Sequence, residues 1–174
     1  MTAQNKRPKC VIDVKNLYKI YPIGKNRVRA LDGVSFQIFE GEFCAIVGAA
    51  GSGKSTLLNM LAGLEKPTKG IITVAGERID TYNENRLVRF RREKVGFIFQ
   101  SFNLIGTMNA VENVALPLMF RGIPKKLRMK RAEKMIELVG LKKFRRHKPN
   151  QMSGGQQQRV GVARALVLNP SIVF

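Results

Sequence analysis

The chain alternates short apolar runs with amphipathic stretches, a pattern typical of a sheet packed against helices. Apolar runs predict strands at residues 11–15, 43–47, 71–74, 95–99 and 171–174, and one or two strands at 28–39. Helical spacing or composition predicts helices at 54–64, 84–94, from 109 onward, at 124–139 and at 153–168. Strand 43–47, a glycine-rich loop and helix 54–64 follow one another as at the start of a parallel α/β unit. We therefore predict an α/β core with a helical insert between its strands.

Single residues mark where several of these helices begin and end. Pro124 fits the first turn of a helix, and Gly140 is typical of a helix C-terminus. Ser153 can cap the last predicted helix, and Asn169 followed by Pro170 ends it.

The loop after strand 43–47 carries the most specific chemical motif. Its spacing fits the phosphate-loop pattern, in the strand, loop and helix order that the pattern requires, with Gly48, Gly53, Lys54 and Ser55 at the fixed positions. Glycines let successive backbone N–H groups point into one concavity that suits phosphate oxygens, and the helix N-terminus adds partial positive charge. Lys54 is expected to bridge the terminal phosphates, and Ser55 to give its hydroxyl to Mg²⁺. The motif predicts a nucleoside triphosphate site without deciding the family.

Composition excludes several classes of protein. A hydrophobic content of 44% and a charged content of 25% are globular values. No apolar run approaches the roughly 18 residues of a membrane-spanning helix, and the polar, basic N-terminus gives no secretory signal. Cys10 and Cys44 lie in apolar runs without metal-like spacing, so we predict buried free thiols and the reducing cytoplasm.

The net charge is the one extreme value. Thirty-one Lys and Arg against twelve Asp and Glu give +19, with the excess concentrated in residues 121–148. Such a charge favours a polyanionic partner or surface, and nucleic acid, anionic lipid and nucleotide phosphates all qualify. The charge alone does not decide among them.

A second motif, at residues 153–159, identifies the family. The run Ser153, Gly154, Gly155, Gln156 with two further glutamines and Arg159 resembles the signature sequence of ABC ATPases. Physically it is another anion site, with a serine cap and small residues at a helix start. The resemblance implies a head-to-tail dimer, in which this signature closes over the γ-phosphate that the partner subunit holds.

The resemblance extends over about residues 9–174 and implies a fold. That fold is a P-loop NTPase with a parallel-sheet core, an N-terminal antiparallel β portion and a helical subdomain insert. It places a single ABC-type ATP-binding domain at 1–174, with about 1–100 and 151–174 in the α/β core and about 101–150 in the helical subdomain.

The resemblance also assigns residues outside the two motifs. Gln100 occupies the position of a glutamine that contacts Mg²⁺ and senses the γ-phosphate, and we expect it to be catalytic. Tyr21 matches the aromatic that stacks on adenine, with Tyr18 as the alternative. The expected cofactors are ATP and Mg²⁺. The full predicted nucleotide set is Tyr21, Gly48, Gly51, Ser52, Gly53, Lys54, Ser55 and Thr56; the metal set is Ser55 and Gln100; and the signature, acting in trans, is Ser153, Gly154, Gly155 and Gln156.

Several stretches resemble the macrolide-export and lipoprotein-release group, namely residues 30–35, 55–59, 99–104 and 111–114. ATPases of that group pair with separate membrane subunits and couple ATP hydrolysis to the movement of substrate. The resemblance thus implies permease subunits, a second ATPase subunit and a cytoplasmic place on the inner face of the membrane. It gives neither the substrate nor the direction of transport.

The chain departs from the family pattern at its end. The family continues strand 171–174 into a Walker B aspartate for Mg²⁺ and a glutamate that polarises water, with a switch histidine beyond. His147 precedes the signature and is not that histidine. We therefore expect an incomplete domain that alone neither hydrolyses ATP nor folds robustly, with strand 43–47 lacking a neighbour on one side or with the sheet rearranged to fill the gap.

Two other functions remain open from the sequence. The charge of +19 fits a nucleic-acid-linked ABC ATPase, but such members carry a long coiled coil between the motifs or two ATPase domains per chain, and this chain has neither. We therefore expect no nucleic acid partner. A regulatory nucleotide-binding protein that never hydrolyses is the third reading.

Overall fold

The computed structural model describes residues 8–24 and 26–174. The described strands are β1 (Cys10–Ile23), β2 (Asn26–Phe39), β3 (Lys69–Val74), β4 (Glu77–Arg78), β5 (Val95–Gly96) and β6 (Ile172–Val173). The described α-helices are α1 (Lys54–Leu61), α2 (Glu84–Lys94), α3 (Ala110–Phe120), α4 (Lys125–Leu138) and α5 (Gly154–Leu166). Short 3-10 turns lie at Lys142–Phe144 and Pro149–Gln151. The chain divides into two compact units, Met1–Val88 and Arg89–Phe174.

The first unit is built on an antiparallel sheet with the strand order β2-β1-β3-β4. Val14 of β1 lies opposite Phe36 of β2 on one side and Ile72 of β3 on the other. Val14, Ile72 and Leu17 are buried, as are Leu57 and other apolar residues of α1. The sheet thus supplies a rigid base for the loop that precedes α1.

The second unit is mainly helical, and its helices share one core. Helices α3, α4 and α5 contribute buried residues to it, among them Val114, Ile136 and Val160. Strands β5 and β6 pair in parallel, and Gly96 lies so close to α5 that a Cβ there would be 2.7 Å from the carbonyl oxygen of Ala165. Helix α5 is therefore fixed both to the helical core and to the small parallel sheet.

The strand expected at residues 43–47 is absent, and the parallel pairing of the described residues is confined to β5 and β6. Phe43 is 99% exposed and Val47 is 90% exposed. A strand needs a neighbour for its backbone N–H and C=O groups, and no described strand pairs with this run on either side. We call residues 43–47 the exposed apolar segment.

The expectation of two buried thiols is wrong for the same reason. Cys44 lies in the exposed apolar segment and is itself exposed, whereas Cys10 is partly buried in β1 and its thiol donates to the carbonyl of Ile12 at 3.2 Å. Both cysteines are free, as expected.

The remaining elements agree with the sequence pattern except at their boundaries. Strand β1 is much longer than 11–15 because irregularities in its register, including a left-handed Asn16 with φ 47°, carry it past polar residues. In the predicted strand 95–99, the regular strand is confined to Val95–Gly96, and Ile98 N–H donates to the Phe174 carbonyl at 2.8 Å. Helix α2 has the expected bounds. In the described residues, no helix combines the length and the apolar character needed to cross a membrane.

Candidate nucleotide site

The loop before α1 is held close to the sheet by one glycine. Gly53 is the N-cap of α1 with a left-handed backbone, φ 87° and ψ 6°. A Cβ at this position would lie 2.3 Å from the carbonyl oxygen of Ala30 and 3.1 Å from Leu31 Cδ2. Only glycine satisfies both the backbone conformation and this close approach.

The ammonium group of Lys54 lies within the turn of this loop. Its Nζ donates to the carbonyl oxygens of Gly48 at 2.9 Å and Ala49 at 2.6 Å, and it lies 3.5 Å from Ser52 Oγ. The loop therefore curls around its own cation, as a phosphate-binding loop must.

The N-terminus of α1 supplies backbone N–H donors beside the Lys54 ammonium. No side chain caps the helix, and its first intrahelical bond runs from Leu57 N–H to the Gly53 carbonyl. The N–H groups before Leu57 have no partner in the helix and carry the positive end of its dipole. Ser55 is exposed in this first turn and Thr56 is partly buried.

Tyr21 is fixed beside the same helix. Its hydroxyl donates to Glu65 at 2.8 Å. Burial, and then the hydrogen bond to Glu65, raise the pKa of Tyr21. Lys19 forms an ion pair with Glu65 at 2.8 Å and lies 5.0 Å from the centre of the Tyr21 ring.

Tyr18 has a different environment. Its hydroxyl lies 2.9 Å from where a Cβ of Gly33 would be, so its ring covers that glycine on the sheet. Of the two tyrosines that could stack on adenine, Tyr21 is thus the one whose hydroxyl is bound to Glu65, just after the end of α1.

The signature residues begin α5 with a complete capping box. Ser153 Oγ accepts from the backbone N–H of Gln156, and Gln156 Oε1 accepts from the backbone N–H of Ser153. Gly154 and Gly155 are exposed in the first turn. Because the two polar side chains are used by the cap, the groups left for an anion are backbone N–H groups.

Gln100 is exposed at the start of a loop with unusual backbone geometry. Phe102 and Asn103 follow it, both left-handed, with φ of 58° and 47°. Arg164 of α5 donates to the carbonyl of Asn103 at 2.6 Å and to that of Phe102 at 2.7 Å. Sequence reasoning did not single out Arg164, although a charged residue between Ala163 and Ala165 on a buried helix is a usable signal.

Asn113 holds the far end of this loop. It is fully buried in α3, accepts from Ile105 N–H at 2.7 Å and donates to the carbonyls of Ile105, Met108 and Asn109, each at 3.1 Å. The signal that sequence reasoning missed was a polar residue at an apolar position of the helix.

The structure brings the predicted residues together in two groups. The loop residues 48–53, Lys54, Ser55, Thr56 and Tyr21 lie in the unit Met1–Val88. The loop of Gln100 and the signature helix lie in the unit Arg89–Phe174, where the Phe102 ring is 3.8 Å from a Cβ built on Gly154. The part of the chain that the structure describes holds no group of three or more His, Cys, Asp or Glu residues able to bind a metal ion.

Comparison with known proteins identifies the family. A family model described as "ABC transporter" matches residues 31–174, so the chain belongs to the ABC transporter family of ATP-binding proteins. The predicted family and its ATP-binding cassette fold are thereby confirmed. ABC ATPases hydrolyse ATP and work with membrane subunits.

Three relatives illustrate the match. An uncharacterized ABC transporter ATP-binding protein of Methanocaldococcus jannaschii is 51% identical over 164 residues, which are 94% of this chain and 73% of that protein. The macrolide export ATP-binding/permease protein MacB of Hyphomonas neptunium is 45% identical over 94% of this chain and 25% of its own length. The dimeric ATP-binding cassette MJ0796 of M. jannaschii, solved with ADP and phosphate, superposes with a TM-score of 0.84 at 44% identity, over 93% of this chain and 72% of that one.

Proposed function

We propose that this chain binds MgATP through the loop 48–53 and the first turn of α1, and that it is the ATP-binding subunit of a transporter of the macrolide-export group. The proposal rests on one observation. The loop curls around the Lys54 ammonium, and an uncapped helix N-terminus follows directly after it. The three oxygens around Lys54 belong to flexible or backbone groups, so phosphate oxygens can replace them without unfolding the loop.

The residues present fit both ATP and Mg²⁺. The backbone N–H groups of Gly48, Gly51 and Gly53 would hold the phosphates, and Lys54 would neutralise the terminal phosphate charge. The Ser52 N–H donates to the Ala49 carbonyl at 3.3 Å and would exchange that partner for a phosphate oxygen. Mg²⁺ prefers hard oxygen ligands and is usually held by phosphates with few protein groups. The Ser55 hydroxyl is the ligand of the first unit, and Thr56 completes the phosphate contacts. When bound, Mg²⁺ draws charge from the phosphates.

Tyr21 is proposed as the adenine contact. Its hydroxyl is already bound to Glu65, which restricts the ring orientation before a base arrives. A ring held in one orientation loses little entropy on stacking, which favours affinity.

Gln100 and the signature are proposed to complete the site. Gln100 contacts Mg²⁺ as a catalytic group, and Ser153, Gly154, Gly155 and Gln156 act on the nucleotide of a second, head-to-tail subunit. The dimeric neighbour MJ0796 supports a dimer. In this proposal residues 1–100 and 151–174 form the α/β core of one ATP-binding domain, and residues 101–150 form its helical subdomain.

The membrane partner is proposed to be a separate pair of permease subunits on the inner face of the cytoplasmic membrane. Helix α4 supports this location, because its exposed residues include Lys125, Lys126, Lys130, Arg131 and Lys134. Basic residues near anionic headgroups gain roughly 1 kcal/mol each.

We further propose that the 174-residue polypeptide by itself binds ATP without hydrolysing it. The family resemblance assigns the activation of water to a carboxylate pair that follows the last strand, and residues 1–174 supply no such pair. Loss of one preorganised group in a polar site costs about 10²–10³ in rate.

The test is titration of MgATP by calorimetry on the 174-residue chain. Lys54→Ala should weaken binding beyond detection, because the loop loses its fixed cation. Lys9→Ala is the matched control, since Lys9 is exposed in the same unit and the charge change is identical. Equal affinity of the Lys54→Ala variant and the control would refute the assignment of the loop.

A further inference from the structure

The turn after Gln100 is an unusual place in the backbone. Phe102 and Asn103 are consecutive residues with positive φ, of 58° and 47°. Left-handed backbone disfavours side chains with a Cβ and persists only where the surroundings over-determine it. Something must therefore hold this turn.

The Arg164 guanidinium holds it. Its two terminal nitrogens donate to two successive carbonyls, Asn103 at 2.6 Å and Phe102 at 2.7 Å. Such charge-assisted, two-pronged bonds are among the strong hydrogen bonds of proteins. Burial lowers the pKa of Arg164, because the charged guanidinium loses contact with solvent. We call this pair of bonds the Arg164 clamp.

The turn also lies along one face of α5. A Cβ built on Gly154 would be 3.8 Å from the Phe102 ring, and one built on Gly161 would be 3.9 Å from the Phe102 carbonyl oxygen. Residues 154, 161 and 164 share a helix face by their spacing of seven and three. The turn thus lies beside this face of α5, and the Arg164 clamp joins it to the helix there.

We propose that Arg164 is a positioning residue for Gln100. It locks the turn to α5, so that the turn and the signature-bearing helix move as one body and Gln100 is held two residues before the clamp. The assignment of Gln100 to Mg²⁺ rests on the proposed function, whereas the clamp itself rests on the geometry of the second unit.

The first test measures the turn directly. Arg164→Lys keeps the charge but cannot donate to both carbonyls with one planar fork. Hydrogen exchange by mass spectrometry on the 174-residue chain should show amides of residues 101–105 exchanging about tenfold faster or more, the factor expected for one lost charged hydrogen bond. Arg146→Lys, exposed in the same unit and outside the signature, is the matched control and should leave this exchange unchanged.

Exchange in residues 130–138 of α4 separates a local effect from general destabilisation. If the amides of residues 101–105 exchange faster while those of residues 130–138 exchange as in the wild type, the result supports the clamp. Unchanged exchange of the turn, or an equal increase in α4, overturns it.

The second test measures positioning. ATP affinity is determined by calorimetry with Mg²⁺ and with EDTA, for the wild type and for both variants. Arg164→Lys should lose about three- to tenfold in affinity with Mg²⁺, the scale of one weakened polar contact, and nothing without it. If Arg164→Lys lowers the ATP affinity equally with Mg²⁺ and with EDTA, or lowers neither affinity, the positioning role is overturned. A wild-type chain that binds no MgATP refutes the proposed function instead, and the exchange result then decides the clamp alone.

Discussion

Gly53→Ala should damage the loop before α1 more than any neighbouring glycine substitution. The left-handed backbone of Gly53 costs alanine roughly 1–2 kcal/mol. The new Cβ would also lie 2.3 Å from the Ala30 carbonyl oxygen, far inside an ordinary contact of 3.4–4 Å. Relieving such overpacking typically costs about 1–3 kcal/mol. We therefore expect a total loss of about 2–5 kcal/mol.

Gly51→Ala is the matched control in the same loop. Its φ is 77°, close to the 87° of Gly53, but a Cβ there meets nothing within 4 Å. It should lose only the backbone term, roughly 1–2 kcal/mol. The difference between the two variants therefore isolates the contact with Ala30.

Urea unfolding followed by tyrosine fluorescence can measure this difference. The chain has three tyrosines and no tryptophan, and Tyr18, Tyr21 and Tyr82 all lie in the unit Met1–Val88, so the signal reports that unit. Equal midpoints for the two variants would refute the reasoning, because they would show that the loop can move away from the sheet without cost.

Three further predictions concern the same unit and the whole chain. Tyr21→Phe should bind MgATP almost as the wild type does, whereas Tyr21→Ala should lose roughly 1 kcal/mol or more of stacking by calorimetry; damage from Tyr18→Ala instead would reverse the assignment. Burial alone would raise the pKa of Glu65, but hydrogen bonds from Lys19 and Tyr21 and the Lys19 charge lower it overall, below its ordinary 4.5. Its contribution to stability is therefore present above pH 4.5 and lost as the pH falls through the lowered value, so Glu65→Gln should differ from the wild type in urea midpoint at pH 7 and converge with it in acid. Phosphate release from MgATP by the 174-residue chain should stay at the background rate. Measurable release by the wild-type chain that is absent in the Lys54→Ala variant would disprove this.

The helices could be predicted from the sequence because their boundaries are local. Ser153 and Gln156 form a capping box from residues three apart, and Pro124 precedes α4 as its N-cap. Such signals need no information from the rest of the chain.

The strand at 43–47 could not be predicted correctly, because an apolar run specifies only that it is suited to a sheet. Whether it pairs depends on a neighbouring strand supplied by tertiary structure. Phe43 is almost fully exposed for this reason.

The residues of the candidate site also divide into those that the sequence predicted and those that it did not. Lys54 and Gly53 were predicted because the phosphate loop is a contiguous motif. Asn113 was missed although its partners lie only four to eight positions earlier in the chain. Glu65 and Arg164 were missed because their partners are distant in sequence, 44 residues for Glu65 and Tyr21 and 62 residues for Arg164 and Phe102. No local pattern records such partners.

The exposed apolar segment affects how copies of the chain behave toward one another. Residues 43–47 are uncharged, lack proline and have strand propensity, which is the composition of segments that stack between chains. The charge of +19 opposes such encounters by mutual repulsion. Salt reduces the range of that repulsion, from a screening length of about 10 Å at 0.1 M to about 3 Å at 1 M, while leaving the apolar attraction in place. Raising the ionic strength should therefore promote aggregation of this chain.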